Sequence, residues 1–370
     1  PSFIDTLDEA GQLARINRTV SLEYELADVA ASLARTGTGA GLFNRVEGSP
    51  WPVFCGGVAS HRRAAIALGC DEGETVDVME RVLDPANGIP PVSVASAGWE
   101  ANTVRGDDLD TALLPIPTHS RGDGGAFITG AVTVARDPIS GRGNLSYNRM
   151  LRLDEHTFGF NVNEWRDVGT FWKSRDDPDA PFPIALAIGL DPAIMIAAGV
   201  KTPVDELFIA GAIRGRGIEV RQGLTIDVDI PAAAEIVVEG LLHPAERRSE
   251  GPLAEFHGYH GEAWNSPTLE VTAISWRDNP IYQTIIPGWY EHVYLGNVLP
   301  REPLLRRFVR HLDPTADVHI PAYGNGFLAV VQIERDNPGT PKNLAMAAMA
   351  AHINIRNVIV VDRDVDIHQP

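Results

Sequence analysis

Several features that would define a protein class are scarce or missing in this 370-residue sequence. Cysteine occurs only twice, as Cys55 and Cys70, which excludes a disulfide framework and is typical of a reducing compartment. No apolar run approaches the roughly 20 residues that cross a bilayer, and the first residues lack the basic and apolar regions of a secretory signal. Internal repeats and low-complexity tracts are absent, which excludes a solenoid. We therefore expect a soluble cytoplasmic protein.

Basic residues are also fewer than acidic residues in this sequence. The sequence has 31 Lys and Arg against 49 Asp and Glu, a net charge of -18, which argues against nucleic acid and anionic membranes as partners. The net charge does not exclude a small anionic substrate, because one local arginine can outweigh the electrostatic field of the whole protein. The hydrophobic share of 44% and the charged share of 22% are ordinary for a globular protein.

The order of helix and strand patterns indicates three parts. Apolar periodicity predicts helices over 3–16 and 23–33 in a mixed first part, and a loop rich in Pro and Gly over 114–125 marks a boundary. The middle part is mainly strand-like, with helices predicted over 192–198 and 232–238. The last part predicts strands over 327–333 and 358–361 around an Ala-rich helix over 343–351. This pattern predicts an α/β part, a β-rich part and a second α/β part.

The segment 249–259 holds two carboxylates, Glu250 and Glu255, five residues apart. A spacing of five suits neither one face of a helix nor one face of a straight strand. The two side chains converge only if the backbone bends, and Gly251-Pro252 lies between them. The sequence therefore predicts a loop built to present a pair of carboxylates.

With this segment, the chain resembles the UbiD family of decarboxylases, which use prenylated flavin mononucleotide (prenylated FMN). The resemblance extends over essentially the whole chain. It rests on the opening segment 3–13, Asn-x-x-x-x-Arg at 144–149, Asp-Glu-Leu at 205–207, Ile-Pro-Ala-Ala-Ala-Glu at 230–235, the Glu-Gly-Pro segment and 360–366, in the family's order. The resemblance implies an α/β (α+β) fold with an N-terminal α/β domain (1–113), a central split β-barrel that binds the flavin (114–295) and a C-terminal α/β domain (296–370).

The resemblance also implies the reaction and the residues that carry it. It implies a reversible, non-oxidative decarboxylase of an aromatic, heteroaromatic or α,β-unsaturated carboxylic acid, with Arg149, Glu250 and Glu255 as the catalytic set. A guanidinium can hold a carboxylate through two parallel hydrogen bonds, which suits Arg149. Glu250 would orient it, and Glu255 would donate the proton from a pocket that raises its pKa.

The resemblance further implies a divalent metal, Mn²⁺ or Mg²⁺, that bridges the cofactor phosphate, with K⁺ beside it. Asn144 and Glu206 match two of the metal ligands, and Ser146 and Tyr147 lie in the same cofactor-binding segment. The third family ligand is a histidine 16 to 18 residues after the arginine, where this chain has none. We expect Arg166 to pair with the phosphate instead. The family also continues well beyond the segment 360–366, so we expect a truncated or reduced closing segment after Pro370.

The expected partners are the carboxylic acid, a flavin prenyltransferase that supplies the cofactor, and further copies of the chain in a homodimer or larger homo-oligomer. Two alternatives stay open. The missing histidine and the short end favour a cofactor-binding or scaffold subunit without turnover. The cluster His257, His260 and Glu262 would instead suit a zinc hydrolase, although its spacing matches no known hydrolytic motif.

Overall fold

The computed structural model of the protein describes residues 2–334 and 337–368. The first part alternates short helices and strands. Its helices are α1 (Phe3–Glu9), α2 (Glu25–Thr36), α3 (His61–Leu68) and α4 (Thr75–Val82), and its strands are β1 (Leu13–Ile16), β2 (Ala40–Phe43), β3 (Val53–Cys55), β4 (Val92–Ser93) and β5 (Asn102–Val104). The predicted helix over 3–16 is wrong in its second half. Gly11 adopts a positive φ of 65°, which ends the helix, and β1 then pairs in parallel with β2.

The middle part carries most of the strands. They are β6 (Phe127–Ile128), β7 (Val132–Arg136), β8 (Gly143–Tyr147), β9 (Met150–Arg152), β10 (Thr157–Phe160), β11 (Phe182–Ile188), β12 (Glu219–Gln222), β13 (Asp229–Pro231), β14 (Ile236–Glu250), β15 (Trp264–Trp276) and β16 (Tyr282–Gln283). The helices are α5 (Asp167–Lys173), α6 (Pro192–Ala198), α7 (Glu206–Arg214) and α8 (Tyr290–Val293), which continues as a π-helical turn over Tyr294–Val298. The prediction of a helix over 192–198 is confirmed.

The last part follows the predicted alternation. Its elements are α9 (Glu302–Arg310), β17 (Asp317–His319), β18 (Leu328–Ile333), α10 (Thr340–Ala351) and β19 (Asn357–Asp362). Strands β17, β18 and β19 form one sheet, in which β18 and β19 run parallel with α10 as their connection. This is the α/β unit that the sequence predicts.

The central sheet has nine strands, all antiparallel, in the order β6-β9-β10-β15-β14-β11-β7-β8, with β5 beside β15. Strands β8 and β9 lie toward opposite ends of this order, yet only residues 148 and 149 separate them along the chain. The sheet must therefore curl back on itself to bring its ends together. This curl confirms the predicted split-barrel architecture and places residue 149 on the closing turn.

Both faces of the central sheet are buried. On β11, Ile184 and Leu186 face a core that they share with α2, β2 and β3, whereas Ala185 and Ala187 face α6 and α7. This alternation is the two-residue period of a strand that is covered on both sides. The curled sheet is thereby held rigidly between the first part and the helices, which fixes the strand ends that carry the site.

The predicted helix over 232–238 is wrong, because β13 ends at Pro231 and β14 begins at Ile236. Residues 236–238 are Ile-Val-Val, which favour a strand, and they pair with β11 and β15. The division at 113/114 and 295/296 stays a prediction. Strands β4 and β5 pair across the first division, with β12 and β15. Within the residues described, no helix combines the length and apolarity needed to cross a membrane.

Candidate active site

The structure brings Arg149 together with both carboxylates of the predicted pair. Arg149 lies on the turn between β8 and β9, Glu250 is the last residue of β14, and Glu255 lies in the loop that leads to β15. The Arg149 Nε and Nη2 atoms donate to Glu250 at 2.9 and 3.2 Å, and Nη1 donates to Glu255. One guanidinium thus joins two carboxylates that are 101 and 106 residues away along the chain.

The loop after β14 bends where the sequence predicts. Gly251 adopts a φ of 104°, which favours glycine, and the Gly251-Pro252 peptide is cis. Gly124 donates its N–H to the carbonyl of Pro252 at 2.8 Å, and a Cβ on Gly124 would lie 2.2 Å from the Gly251 carbonyl oxygen. The glycine-rich segment 122–125 therefore supports the bend by close backbone contact, which aims Glu255 back at Arg149.

The two carboxylates have different surroundings. The Glu250 side chain is fully buried and accepts a third hydrogen bond, from Asn161 Nδ2 at 2.7 Å, so three donors satisfy its two oxygens. The Glu255 side chain remains 30% exposed. Burial raises the pKa of Glu255 and the nearby Glu250 adds to that rise, while Arg149 and His257 oppose it. Burial therefore favours the protonated form of Glu255, which is the form that a proton donor requires.

A second polar cluster lies where β8 meets the start of α7. Asn144 on β8 is 3% exposed, and Glu206 at the start of α7 is 1% exposed. Asn144 Nδ2 donates to both Glu206 oxygens at 3.2 and 3.3 Å, and the Leu145 N–H donates to Glu206 at 2.8 Å. Burial raises the pKa of Glu206 to about 8, with the charges of Asp205 and Asp167 adding to the rise.

This second cluster fits a hard cation. The Oδ1 atom of Asn144 is buried and has no hydrogen-bond partner among the residues that the structure describes. Amide and carboxylate oxygens are the ligands that Mg²⁺ and Mn²⁺ prefer. With the Asn144 amide turned so that Oδ1 replaces Nδ2 beside Glu206, a cation would bind Oδ1 and offset the cost of burying the Glu206 carboxylate. The residues present therefore fit the metal that the family resemblance implies.

The other predicted cofactor residues differ in their surroundings. Ser146 Oγ donates to Asn148 Oδ1 at 3.0 Å, and the Tyr147 hydroxyl donates to the Met195 carbonyl at 2.9 Å inside the core. Burial raises the pKa of Tyr147 well above its usual range. Arg166 is exposed just before α5, and burial together with the charge of Arg166 lowers the pKa of Arg301 to about 10. The cofactor roles of Ser146, Tyr147 and Arg166 stay predictions.

Sequence reasoning missed two residues at these clusters. Asn161 follows β10 and reaches Glu250, and its only signal was a polar residue directly after an apolar strand. Asp167 is the first residue of α5 and contacts Asn144, with Nδ2 to Oδ2 at 3.4 Å. Asp167 lies 18 residues after Arg149, in the range where the family resemblance implies a histidine ligand.

The alternative site at His257, His260 and Glu262 gains no support. His260 Nε2 contacts Ser120 at 2.8 Å and Asp123 at 3.2 Å, and His257 Nδ1 accepts from the Tyr259 N–H at 3.2 Å. Across residues 2–334 and 337–368, no three His, Cys, Asp or Glu side chains are grouped so that they could hold a metal. The His260 contacts instead link the loop between β14 and β15 to residues 120–123.

Comparison with known families covers the chain from end to end. Three models of 3-octaprenyl-4-hydroxybenzoate carboxy-lyase match: the N-terminal domain over residues 4–83, the Rift-related domain over 92–290 and the C-terminal domain over 293–370. A chain with this fold and this set of matches belongs to the UbiD family of carboxy-lyases.

Two of the relatives are named as decarboxylases. The chain is 30% identical over 375 residues to anhydromevalonate phosphate decarboxylase of Methanosarcina mazei, covering 100% of this chain and 84% of the relative. It is 30% identical over 384 residues to phenolic acid decarboxylase of Streptomyces sp. strain D7, covering 99% of this chain and 80% of the relative.

Solved structures agree with the fold. An evolved dimeric form of the UbiD-class enzyme HmfF from Pelotomaculum thermopropionicum, in complex with prFMN, superposes with a TM-score of 0.94 at 34% identity and covers 100% of this chain and 86% of that one. Apo 3,4-dihydroxybenzoic acid decarboxylase from Klebsiella pneumoniae superposes with a TM-score of 0.93 at 29% identity, over 99% of this chain and 82% of that one.

Proposed function

We propose that the chain is a reversible, non-oxidative decarboxylase of an aromatic, heteroaromatic or α,β-unsaturated carboxylic acid and that it uses prenylated FMN. The observation that carries the proposal is Arg149 held between a buried carboxylate and a carboxyl group of raised pKa. When bound, the prenylated flavin supplies the electron sink that no side chain offers for loss of CO₂ from an sp² carbon. Side chains of this chain bind and orient the substrate and transfer the proton.

Arg149 binds the substrate carboxylate and orients the bond that breaks. Its guanidinium is only 11% exposed, so its hydrogen bonds to an anion act in a partly desolvated setting. Glu250 and Asn161 hold the guanidinium in one orientation. Heterolysis of the carbon–carbon bond releases CO₂ and leaves an electron pair on the carbon.

Glu255 gives that carbon its proton. Its raised pKa keeps a protonated fraction at a pH where an ordinary glutamate is ionised. The O–H bond of Glu255 breaks as the new C–H bond forms, and the carboxylate that results stays close to Arg149. Because the side chain is 30% exposed, solvent can return the proton before the next turnover.

Asn144 and Glu206 would hold Mn²⁺ or Mg²⁺, which would bind the cofactor phosphate, with K⁺ beside it. Ser146, Tyr147 and Arg166 would contribute to the same cofactor site. The support is the unpartnered Asn144 Oδ1 beside the buried Glu206 carboxylate, in the part of the chain described. We also propose the domain division 1–113, 114–295 and 296–370, a homodimer or higher homo-oligomer, a separate flavin prenyltransferase as cofactor supplier, and a cytoplasmic location.

The test is co-expression with a flavin prenyltransferase, followed by a visible spectrum, the mass of the released cofactor and an assay of CO₂ release from a panel of unsaturated acids. We expect a bound prenylated flavin and turnover. Glu255→Gln should keep the flavin and lose turnover, whereas Glu262→Gln, an exposed glutamate of the same loop, should keep both. A colourless protein with metal supplied would contradict the proposal and favour a scaffold subunit.

A further inference from the structure

Three elements that are far apart in sequence meet beside Asn144. The amide lies on β8, Glu206 opens α7 and Asp167 opens α5. Asn144 Nδ2 is 3.2 and 3.3 Å from the two Glu206 oxygens and 3.4 Å from Asp167 Oδ2. Two carboxylates from two helix starts thus converge on one amide that is 3% exposed.

Only one of the two polar atoms of the Asn144 side-chain amide has hydrogen-bond partners. Its Nδ2 group donates to both carboxylates, while its Oδ1 atom is buried without a partner among the residues described. A buried carbonyl oxygen without a donor is rare in folded proteins, because its desolvation is uncompensated. No side-chain nitrogen of Lys, Arg or His in the described ranges lies within 4.0 Å of the Glu206 carboxylate either. Both facts indicate a missing positive partner.

Asp167 is oriented to serve that partner. Arg142 Nη2 donates to Asp167 Oδ1 at 2.9 Å, and the Arg142 guanidinium lies 5.2 Å from the centre of the Phe171 ring, so two contacts fix its position. The other oxygen, Oδ2, is the one directed to Asn144. Asp167 therefore keeps one oxygen bound to Arg142 and presents the other to the Asn144 amide.

We propose that Asp167 is the third protein ligand of the divalent cation, completing an all-oxygen set with Glu206 and with Asn144, whose amide turns so that Oδ1 takes the place of Nδ2 beside the two carboxylates. The inference rests on the proposed function and deepens its metal site. An amide and two carboxylates form a hard site, which suits Mg²⁺ or Mn²⁺ and lacks the imidazole or thiolate that favours Zn²⁺. Arg142 is a positioning residue, since it acts through the Asp167 carboxylate.

The test is Mn²⁺ binding to the FMN-loaded protein, followed by the electron paramagnetic resonance signal of free Mn²⁺. Asp167→Asn should weaken Mn²⁺ binding by at least about tenfold, because loss of metal-site partners has effects of that order. Asp176→Asn, which changes an exposed aspartate nine residues further on, is the matched control and should bind as wild type does. Thermal unfolding without metal checks that both variants fold.

A second variant separates a ligand from a structural role. Asp167→His places an imidazole at the same position, so it should keep Mn²⁺ binding and gain affinity for Co²⁺, with a cobalt absorption spectrum that Asp167→Asn lacks. Equal Mn²⁺ binding by Asp167→Asn and Asp176→Asn would overturn the assignment, as would a wild-type protein that binds no Mn²⁺. Flavin content and CO₂ release are measured separately. If the wild-type protein releases CO₂ while Asp167→Asn binds Mn²⁺ as tightly as wild type, the ligand assignment is refuted and the proposed function stands.

Discussion

The buried ion pair between Arg149 and Glu250 makes a prediction that needs no cofactor. In Glu250→Gln the shape is kept, but an amide replaces a fully buried carboxylate that accepts two bonds from Arg149 and one from Asn161. Breaking a buried pair through one partner costs 3–5 kcal/mol in general. Arg149 keeps Glu255 and is 11% exposed, so we expect the lower end, about 3 kcal/mol of unfolding free energy.

The assay is urea unfolding of the cofactor-free protein, followed by tryptophan fluorescence. Glu246→Gln is the matched control, because Glu246 is an exposed residue of the same strand and its change should stay within about 0.5 kcal/mol. In the double variant Arg149→Met with Glu250→Gln, the free energy of unfolding should fall by less than the sum of the two single changes, because neither residue of the pair leaves an unpaired buried charge at the other. A Glu250→Gln protein as stable as the control would refute the account of this pair.

Three further predictions concern the surroundings of this pair. Asn161→Ala removes the third donor to the buried carboxylate, so unfolding free energy should fall by about 1–3 kcal/mol, measured by urea unfolding against wild type. Gly124→Ala should lower turnover sharply, because its Cβ would lie 2.2 Å from the Gly251 carbonyl oxygen, whereas Gly73→Ala meets nothing within 4 Å and should be neutral in the same CO₂ assay. Turnover should stay high at pH values between the ordinary glutamate pKa and the raised pKa of Glu255. It should fall as the pH rises through the raised pKa, because the protonated form is then lost. A rate that rises over that pH interval would contradict the proton role.

Sequence reasoning located the carboxylate pair because its cause is local. The bend at Gly251 needs a residue that tolerates a φ of 104°, and the sequence supplies glycine between the two glutamates. The helix over 192–198 was predictable for the same reason, since Asp191 caps it and Pro192 fits its first turn.

Other features depend on contacts that no local pattern records. Residues 232–238 are compatible with a helix, but pairing of β14 with β11 and β15 outweighs that preference. Asp167 contacts Asn144 from 23 residues away, and Glu206 from 62, so only the curled sheet and the two helix starts bring the three together. Asn161 likewise meets Glu250 across 89 residues. The residues that a motif names were predictable, whereas the residues that hold them in place were not.

The central claim is that Arg149, Glu250 and Glu255 carry out decarboxylation on a bound prenylated flavin. The most direct measurement is CO₂ release by wild type and Glu255→Gln at equal flavin content, with the product analysed for deuterium after reaction in D₂O. The account predicts deuterium at the vacated carbon in the wild-type product and a rate at least about 100-fold lower in the variant. Equal rates for the two proteins at equal flavin content would contradict it.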